Sequence, residues 1–192
     1  MKMIAFNASP RKNGNTAWAI KTILESAQKQ GAETQSWSCR DLDIKPCQSC
    51  FACHKDGSNG CAINDDMQKL YKEMESAELL ILGTPIYMGQ MTAQAKTFVD
   101  RLFAKISPRF SPHYKEKEVK RKLILVFTQG NPERNMFQVY IDYTKQMFQM
   151  LEFDVIEVVV IKGTRSEAAH EKKELHATLE NIGSSLVKKT QY

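Results

Sequence analysis

Short strand-like runs alternate along this chain with longer segments in which apolar positions recur every three or four residues. The runs at 2–6, 34–38, 79–83, 123–127 and 154–160 predict strands, and the segments at 16–30, 65–76, 92–103, 134–150 and 166–189 predict helices. Leu79-Leu80-Ile81-Leu82 and Leu123-Ile124-Leu125-Val126-Phe127 have no polar side, so both faces of these strands must be covered. Five such strands in strict alternation with five helices predict an α/β fold, a parallel sheet with helices on both faces. Right-handed crossovers make it doubly wound. Ligands of such sheets sit beyond the carboxyl ends of the strands, near the switch in strand order, which directs attention to the loops after the first, third and fourth strands. No repeat or linker interrupts the pattern, so residues 1–192 are expected to form a single domain, least patterned over 105–122.

Composition narrows the picture. With 42% hydrophobic and 26% charged residues the chain can bury a core, and no apolar run approaches the roughly 20 residues a membrane span needs. Basic residues number 27 against 22 acidic, a net charge of +5 partly concentrated at 115–122. That stretch lacks interleaved aromatics and is expected to be a solvated loop rather than a nucleic-acid face; a patch for an acidic protein is the lesser reading.

Four of the five cysteines, Cys47, Cys50, Cys53 and Cys61, are spaced C-x2-C-x2-C-x7-C in a segment at about 45–64, with a Gly57-Ser58-Asn59-Gly60 turn before the last. A tight winding of the backbone would let their sulfurs share one centre, as zinc and iron–sulfur sites require. No leader-like stretch precedes the first strand, so a reducing cytoplasm is the expected setting and thiols are expected over disulfides. Zinc, an iron–sulfur cluster and plain reduced thiols remain open on spacing alone; His54 is poorly placed as a ligand, and Cys39 reads as a small buried apolar residue. The methionines read mostly as core filling.

The loop after the first strand, residues 7–16, runs directly into a helix and is rich in small and polar residues. Amides at a helix start lack intrahelical partners and carry partial positive charge, which suits a phosphate. Ser9, Asn13, Asn15 and Thr16 are candidate donors, Arg11 a neutralising charge, and Gly14 a point of close approach. Neither G-x-G-x-x-G nor G-x-x-x-x-G-K-[ST] is present, which leaves a mononucleotide. After the third strand, Pro85, Ile86, Tyr87, Met88 and Gly89 offer apolar and aromatic groups to a flat heteroaromatic ring, and Thr128, Gln129 and Gly130 form the turn after the fourth.

Ser-Pro-Arg-x-x-Gly-Asn-Thr after the first strand, Gly-Thr-Pro-Ile-Tyr-Met-Gly-Gln-Met-Thr after the third, and Phe98-Val99-Asp100-Arg101 resemble the flavodoxin-fold NAD(P)H-dependent FMN reductases. Residues 46–67 are similar to the iron–sulfur flavoprotein branch of that group. The resemblance implies a five-stranded flavodoxin-like sheet of order 2-1-3-4-5. It implies FMN with its phosphate at Ser9–Thr16 and its ring against 85–89 and 128–131, where Gln129 would meet the ring's polar edge. It also implies a [4Fe–4S] cluster on Cys47, Cys50, Cys53 and Cys61, near the flavin of a neighbouring subunit in a homodimer or homotetramer. The donor would be a ferredoxin-type carrier or NAD(P)H, with no general acid or base in the protein. The rival readings are a cluster-free NAD(P)H-dependent FMN or quinone reductase, a flavodoxin-like electron carrier, which the +5 charge disfavours, and an FMN sensor. The long gap before Cys61 and the glutamine at 129 depart from the family pattern.

Overall fold

The computed structural model describes residues 1–58, 60–105, 120–133 and 135–188. Its strands are β1 (Lys2–Asn7), β2 (Glu33–Ser38), β3 (Leu79–Tyr87), β4 (Gln90–Met91), β5 (Arg121–Thr128) and β6 (Phe153–Ile161). Its helices are α1 (Asn15–Lys29), α2 (Met67–Ser76), α3 (Ala93–Arg101), α4 (Gln138–Met150) and α5 (Lys173–Lys188). The main sheet is parallel in the order β2-β1-β3-β5-β6, with β4 paired to β3 outside that path. Counted as the five predicted strands, this is the order 2-1-3-4-5, and the fold is flavodoxin-like.

Strand pattern explains the layering. In β3 and β5 alternate residues are buried on opposite faces: Leu80, Leu82, Leu123, Leu125 and Phe127 pack with α2, α3 and α4 residues, while Leu79, Ile81, Ile124 and Val126 pack with residues of α1 and α5. β6 carries a register shift opposite Leu123/Ile124, which leaves Ile156 37% exposed at the sheet edge. α1 crosses the sheet close to Gly83, where a Cβ would stand 2.6 Å from Ile20 Cδ1 and 2.8 Å from Thr16 Cγ2. Only hydrogen fits there, so the start of α1 lies directly over the carboxyl half of β3.

Three elements differ from the predicted ones. The third strand does not stop at 83 but runs to Tyr87, turns through Met88 and Gly89 with φ of 49° and 81°, and returns as β4. Two consecutive positive φ values make the two-residue turn whose twist matches a hairpin. The last helix begins at Lys173 rather than 166, because Gly163 (φ 69°) and a short 3-10 turn at Ala169–Glu171 come first. α4 opens at Gln138, beyond Pro132 and a bond from Glu133 N–H to Asn131 Oδ1 at 2.7 Å. The expectations for 134, for the helix end at 189, and for most of 105–122 lie outside the described residues. Met67 and Met74 fill the core as expected, whereas Met88, Met136 and Met150 are exposed. Among the described residues no helix is long and apolar enough to cross a membrane.

Candidate functional site: a phosphate cradle and a cysteine-lined cavity

The loop after β1 is built by its own side chains. Asn7 Oδ1 accepts from Ser9 N–H at 3.1 Å, and Ser9 Oγ accepts from Arg11 N–H at 3.2 Å, an Asx turn followed by an ST turn. Cys39 Sγ donates to the Ser9 carbonyl at 3.3 Å and Arg40 Nη1 to the Pro10 carbonyl at 2.7 Å, fixing the loop to the end of β2. Cys39 is therefore half-buried rather than buried, and burial pushes its thiol up. α1 then starts at Gly14, which supplies no capping side chain, and its first intrahelical bond runs from Trp18 N–H to the Gly14 carbonyl at 3.0 Å. The amides of Asn15, Thr16 and Ala17 precede that bond, and no acidic residue stands in the first turn. A Cβ on Gly14 would come 3.1 Å from Arg11 Cβ and 3.4 Å from Ser9 Oγ, closing the space in front of these amides.

That space is a cavity of about 230 Å³ lined by Ser9, Arg11, Gly14, Asn15 and Thr16 from the first loop, Pro85, Ile86 and Tyr87 from β3, Thr128 and Gly130 from the turn after β5, and Thr164 and Arg165. Thr16 and Thr128 join hydroxyls at 2.8 Å, tying the helix start to the end of β5. Asn15 turns its Oδ1 to Ala169 N–H at 2.8 Å, so its amide anchors the final 3-10 turn as well as facing the cavity. A second cavity of about 510 Å³ shares Ile86, Gly130 and Arg165 and adds Asn131, Pro132, Phe137 and Ser166. Tyr87 is 44% exposed, not a core residue, and stands free to cover a ligand.

Four predicted residues are elsewhere. Asn13 lines a separate cavity on the α1–β2 side with Lys12 and Asp41. Met88 is fully exposed at the hairpin tip and Gly89 follows it, neither lining either cavity. Gln129 is 1% exposed; its Nε2 donates to the carbonyls of Asn131 at 3.1 Å and Glu133 at 2.8 Å, so the amide braces its own loop. Thr164 and Arg165 also line the cradle, although they follow β6, an edge strand outside the loops flanking the switch point; the Gly163-Thr164-Arg165-Ser166 turn is their only signal in the sequence. Thr164 N–H and Oγ1 both donate to the Gln129 carbonyl at 3.0 Å, which draws this turn to the site.

The cysteine segment forms one wall of a larger, mainly apolar cavity of about 840 Å³. Cys47, Cys50, Cys53 and Cys61 all line it, opposite Gln90 and Met91 of β4, Val99 and Phe103, and Tyr140, Tyr143 and Met147 of α4. All five cysteines are free thiols. Ser49 and Phe51 take left-handed φ of 53° and 55°, curling the chain between cysteines, and Ser49 N–H donates to Cys47 Sγ at 3.4 Å. Burial pushes the Cys53 thiol up, and interaction with Cys61, Cys47 and Cys50 adds to it. His54 is held away from these sulfurs, its Nε2 2.9 Å from the Phe103 carbonyl and its ring against Phe103. Among the described residues, however, no three Cys, His, Asp or Glu side chains stand close enough together to hold a metal ion. Cys47 and Cys50 are exposed and only Cys53 and Cys61 are partly covered, so the expected ligands share a cavity without forming a finished ligand set. Four free thiols, the first three set around left-handed turns at Ser49 and Phe51 and one accepting from a backbone N–H, are the donor chemistry of an iron–sulfur or zinc site.

The NADPH-dependent FMN reductase family matches over residues 1–180. The chain belongs to that family. The cradle, with its open helix start and the space a Cβ at position 14 would fill, fits the phosphate of a flavin mononucleotide. An iron–sulfur flavoprotein of Methanocaldococcus jannaschii is 38% identical over 101 residues, 53% of this chain and 51% of that protein. An iron–sulfur flavoprotein of Methanosarcina thermophila is 37% identical over 101 residues, 53% of this chain and 52% of that one. The chain thus spans about half the length of these curated relatives. Among solved structures, the NAD(P)H:quinone oxidoreductase from Methanothermobacter marburgensis superposes with a TM-score of 0.74 at 13% identity, covering 97% of this chain and 96% of its own, a likeness of fold.

Proposed function

We propose that this protein is an FMN-dependent redox enzyme that passes electrons from a ferredoxin-type carrier or NAD(P)H to a small acceptor, with a [4Fe–4S] cluster on Cys47, Cys50, Cys53 and Cys61. The observation that carries the flavin half is the cradle: an α1 start without a capping side chain or acidic first turn, facing Arg11 and Arg165 across a cavity closed by Pro85, Ile86 and Tyr87. Amides at the start of α1 bind the phosphate, the Thr16–Thr128 hydroxyl pair holds that end rigid, and Ile86 with Tyr87 excludes water from one side of the ring. When bound, FMN supplies hydride and single-electron chemistry, which is why no protein side chain is assigned as acid or base. Arg11 and Arg165 balance the phosphate charge.

The cluster half is supported by four free thiols around one cavity and by iron–sulfur flavoproteins among the relatives. A cluster-free NAD(P)H-dependent FMN or quinone reductase is the second reading, favoured by the lack of a finished ligand set among the described residues. The protein acts as a homodimer or homotetramer in either case, since Val139, Tyr143 and Met150 of α4 are exposed, Tyr143 at the cysteine cavity, and need cover. Anaerobic purification followed by the visible spectrum with iron and sulfide analysis separates the readings. Flavin bands with a broad brown absorption, iron and acid-labile sulfide support the cluster. Flavin bands alone select the second reading, and a colourless protein that takes up no FMN refutes both.

A further inference from the structure

The cysteine segment leaves the fold at Lys45 and returns at Asp65, and both ends meet one side chain. Arg101, the last residue of α3, is 1% exposed. Its Nη1 donates to the Lys45 carbonyl at 2.7 Å and to Asp65 Oδ2 at 2.6 Å, and its Nη2 to Asp65 Oδ1 at 3.1 Å. Asp65 also accepts from the N–H of Lys45 at 2.9 Å and of Met67 at 3.0 Å. Beside it, Asp43 N–H donates to Asp66 Oδ2 at 2.8 Å and Asp66 N–H to the Asp43 carbonyl at 3.1 Å, completing a stem under the loop. Tyr71 Oη donates to the Arg101 carbonyl at 2.6 Å, fixing the residue itself.

Both side chains of the Arg101–Asp65 pair have 0% exposure, and Arg101 Nε has no partner. Such a pair brings a desolvation cost that apolar residues of the same size avoid, so stability alone is a poor account of it. What it does hold is geometry. Cys47 follows Lys45 by two residues, and Cys61 precedes Asp65 by four and lies close enough to interact with the guanidinium and with the Tyr71 hydroxyl. Gln68 Nε2 secures the same end, donating to the Cys61 carbonyl at 2.9 Å and the Ile63 carbonyl at 2.7 Å.

We propose that Arg101 is the positioning residue of the cysteine site: by gripping Lys45 and Asp65 together it closes the loop and presents Cys61 to Cys47, Cys50 and Cys53. The proposal rests on the reading of these four cysteines as a metal centre. The planar fork is essential, because a lysine keeps the charge but cannot grip two ends at once.

The test uses the full FMN-loaded chain with Arg101→Lys and Asp65→Asn, and Lys69→Ala as a control that removes only the exposed Lys69–Asp66 pair at 2.8 Å. Zn²⁺ alone is titrated against a chelator into reduced, iron-free protein, and alkylation of Cys61 by iodoacetamide is followed by mass spectrometry without metal. Arg101→Lys and Asp65→Asn are expected to keep wild-type FMN affinity, to bind Zn²⁺ roughly 10- to 100-fold more weakly, and to alkylate Cys61 faster, as loss of residues that orient ligands does. The control is expected to match wild type. Wild-type Zn²⁺ affinity and alkylation rate in both variants would overturn the proposal. A wild-type protein that holds neither Zn²⁺ nor iron overturns the metal reading instead, while the alkylation rates still decide whether Arg101 closes the loop. Should Arg101→Lys lose FMN through misfolding, Asp65→Asn, which keeps an oxygen for Met67 N–H, gives the decision.

Discussion

At residue scale the cradle turns on one missing side chain. Gly14→Val places carbon where Arg11 Cβ and Ser9 Oγ already crowd, at 3.1 and 3.4 Å from the new Cβ, so the phosphate loses its approach to the α1 amides. FMN affinity should fall at least about tenfold, or about 1.4 kcal/mol, in a flavin-fluorescence titration, with little change in melting temperature. Unaltered affinity would remove the phosphate from this loop. Cys53 offers a pH experiment. Its thiol is raised above the usual range by burial first and by the neighbouring sulfurs second, and only thiolate reacts. In metal-free protein its alkylation should be slow at neutral pH and keep climbing past the pH at which an ordinary thiol levels off. A rate that plateaus near that ordinary range would show the site to be open. Met88 is the third such position: non-glycine, φ 49° and wholly exposed, so Met88→Gly should stabilise the fold by about 1 kcal/mol in urea unfolding. A loss of stability would mean that the side chain has a partner in solution.

At the scale of elements, the α1–β3 contact sets where the cradle stands. Gly83→Ala forces a methyl against Ile20 and Thr16 and should cost about 1–3 kcal/mol, with flavin affinity falling in parallel because Thr16 moves. Stability equal to wild type would show that α1 shifts freely. Elements are also what the sequence makes most legible, with one exception. The apolar runs of β3 and β5 and the periodicity of α1 announce a doubly wound sheet, because two-face burial leaves no other composition. The β3–β4 hairpin was hidden behind Pro85, which reads as a strand terminator; here Pro85 pairs opposite Thr128 and the strand continues through it. Ser9, Arg11 and Gly14 were legible since small, polar and cationic residues before a helix have few other uses. Gln129 was not, because an amide that braces its own loop looks in sequence like one that faces a ligand. Arg101 was visible only as part of a motif, its purpose depending on a loop end 36 residues away.

For the whole molecule, the cradle and the cysteine cavity are accompanied by an exposed apolar strip along α4. Val139 is 86% exposed, Met150 67% and Tyr143 62%, an apolar strip that a monomer in water rarely keeps bare. If this strip is the proposed subunit interface, Val139→Glu with Tyr143→Lys should lower the sedimentation coefficient to that of a monomer; a coefficient unchanged from wild type would show that the strip joins no subunits. The β3–β4 hairpin lies between the cavities, with Ile86 opposite Met91 and Tyr87 opposite Gln90. Pro85, Ile86 and Tyr87 line the cradle, Gln90 and Met91 the cysteine cavity. The two-residue tip fixes the register of this pairing, so one residue added to or removed from it shifts β4 against β3. Substitution at the tip is therefore a graded change. A change in its length displaces residues of both chambers in one step, which makes the spacing between Tyr87 and Gln90 a stricter constraint on variants of this chain than the identity of either tip residue.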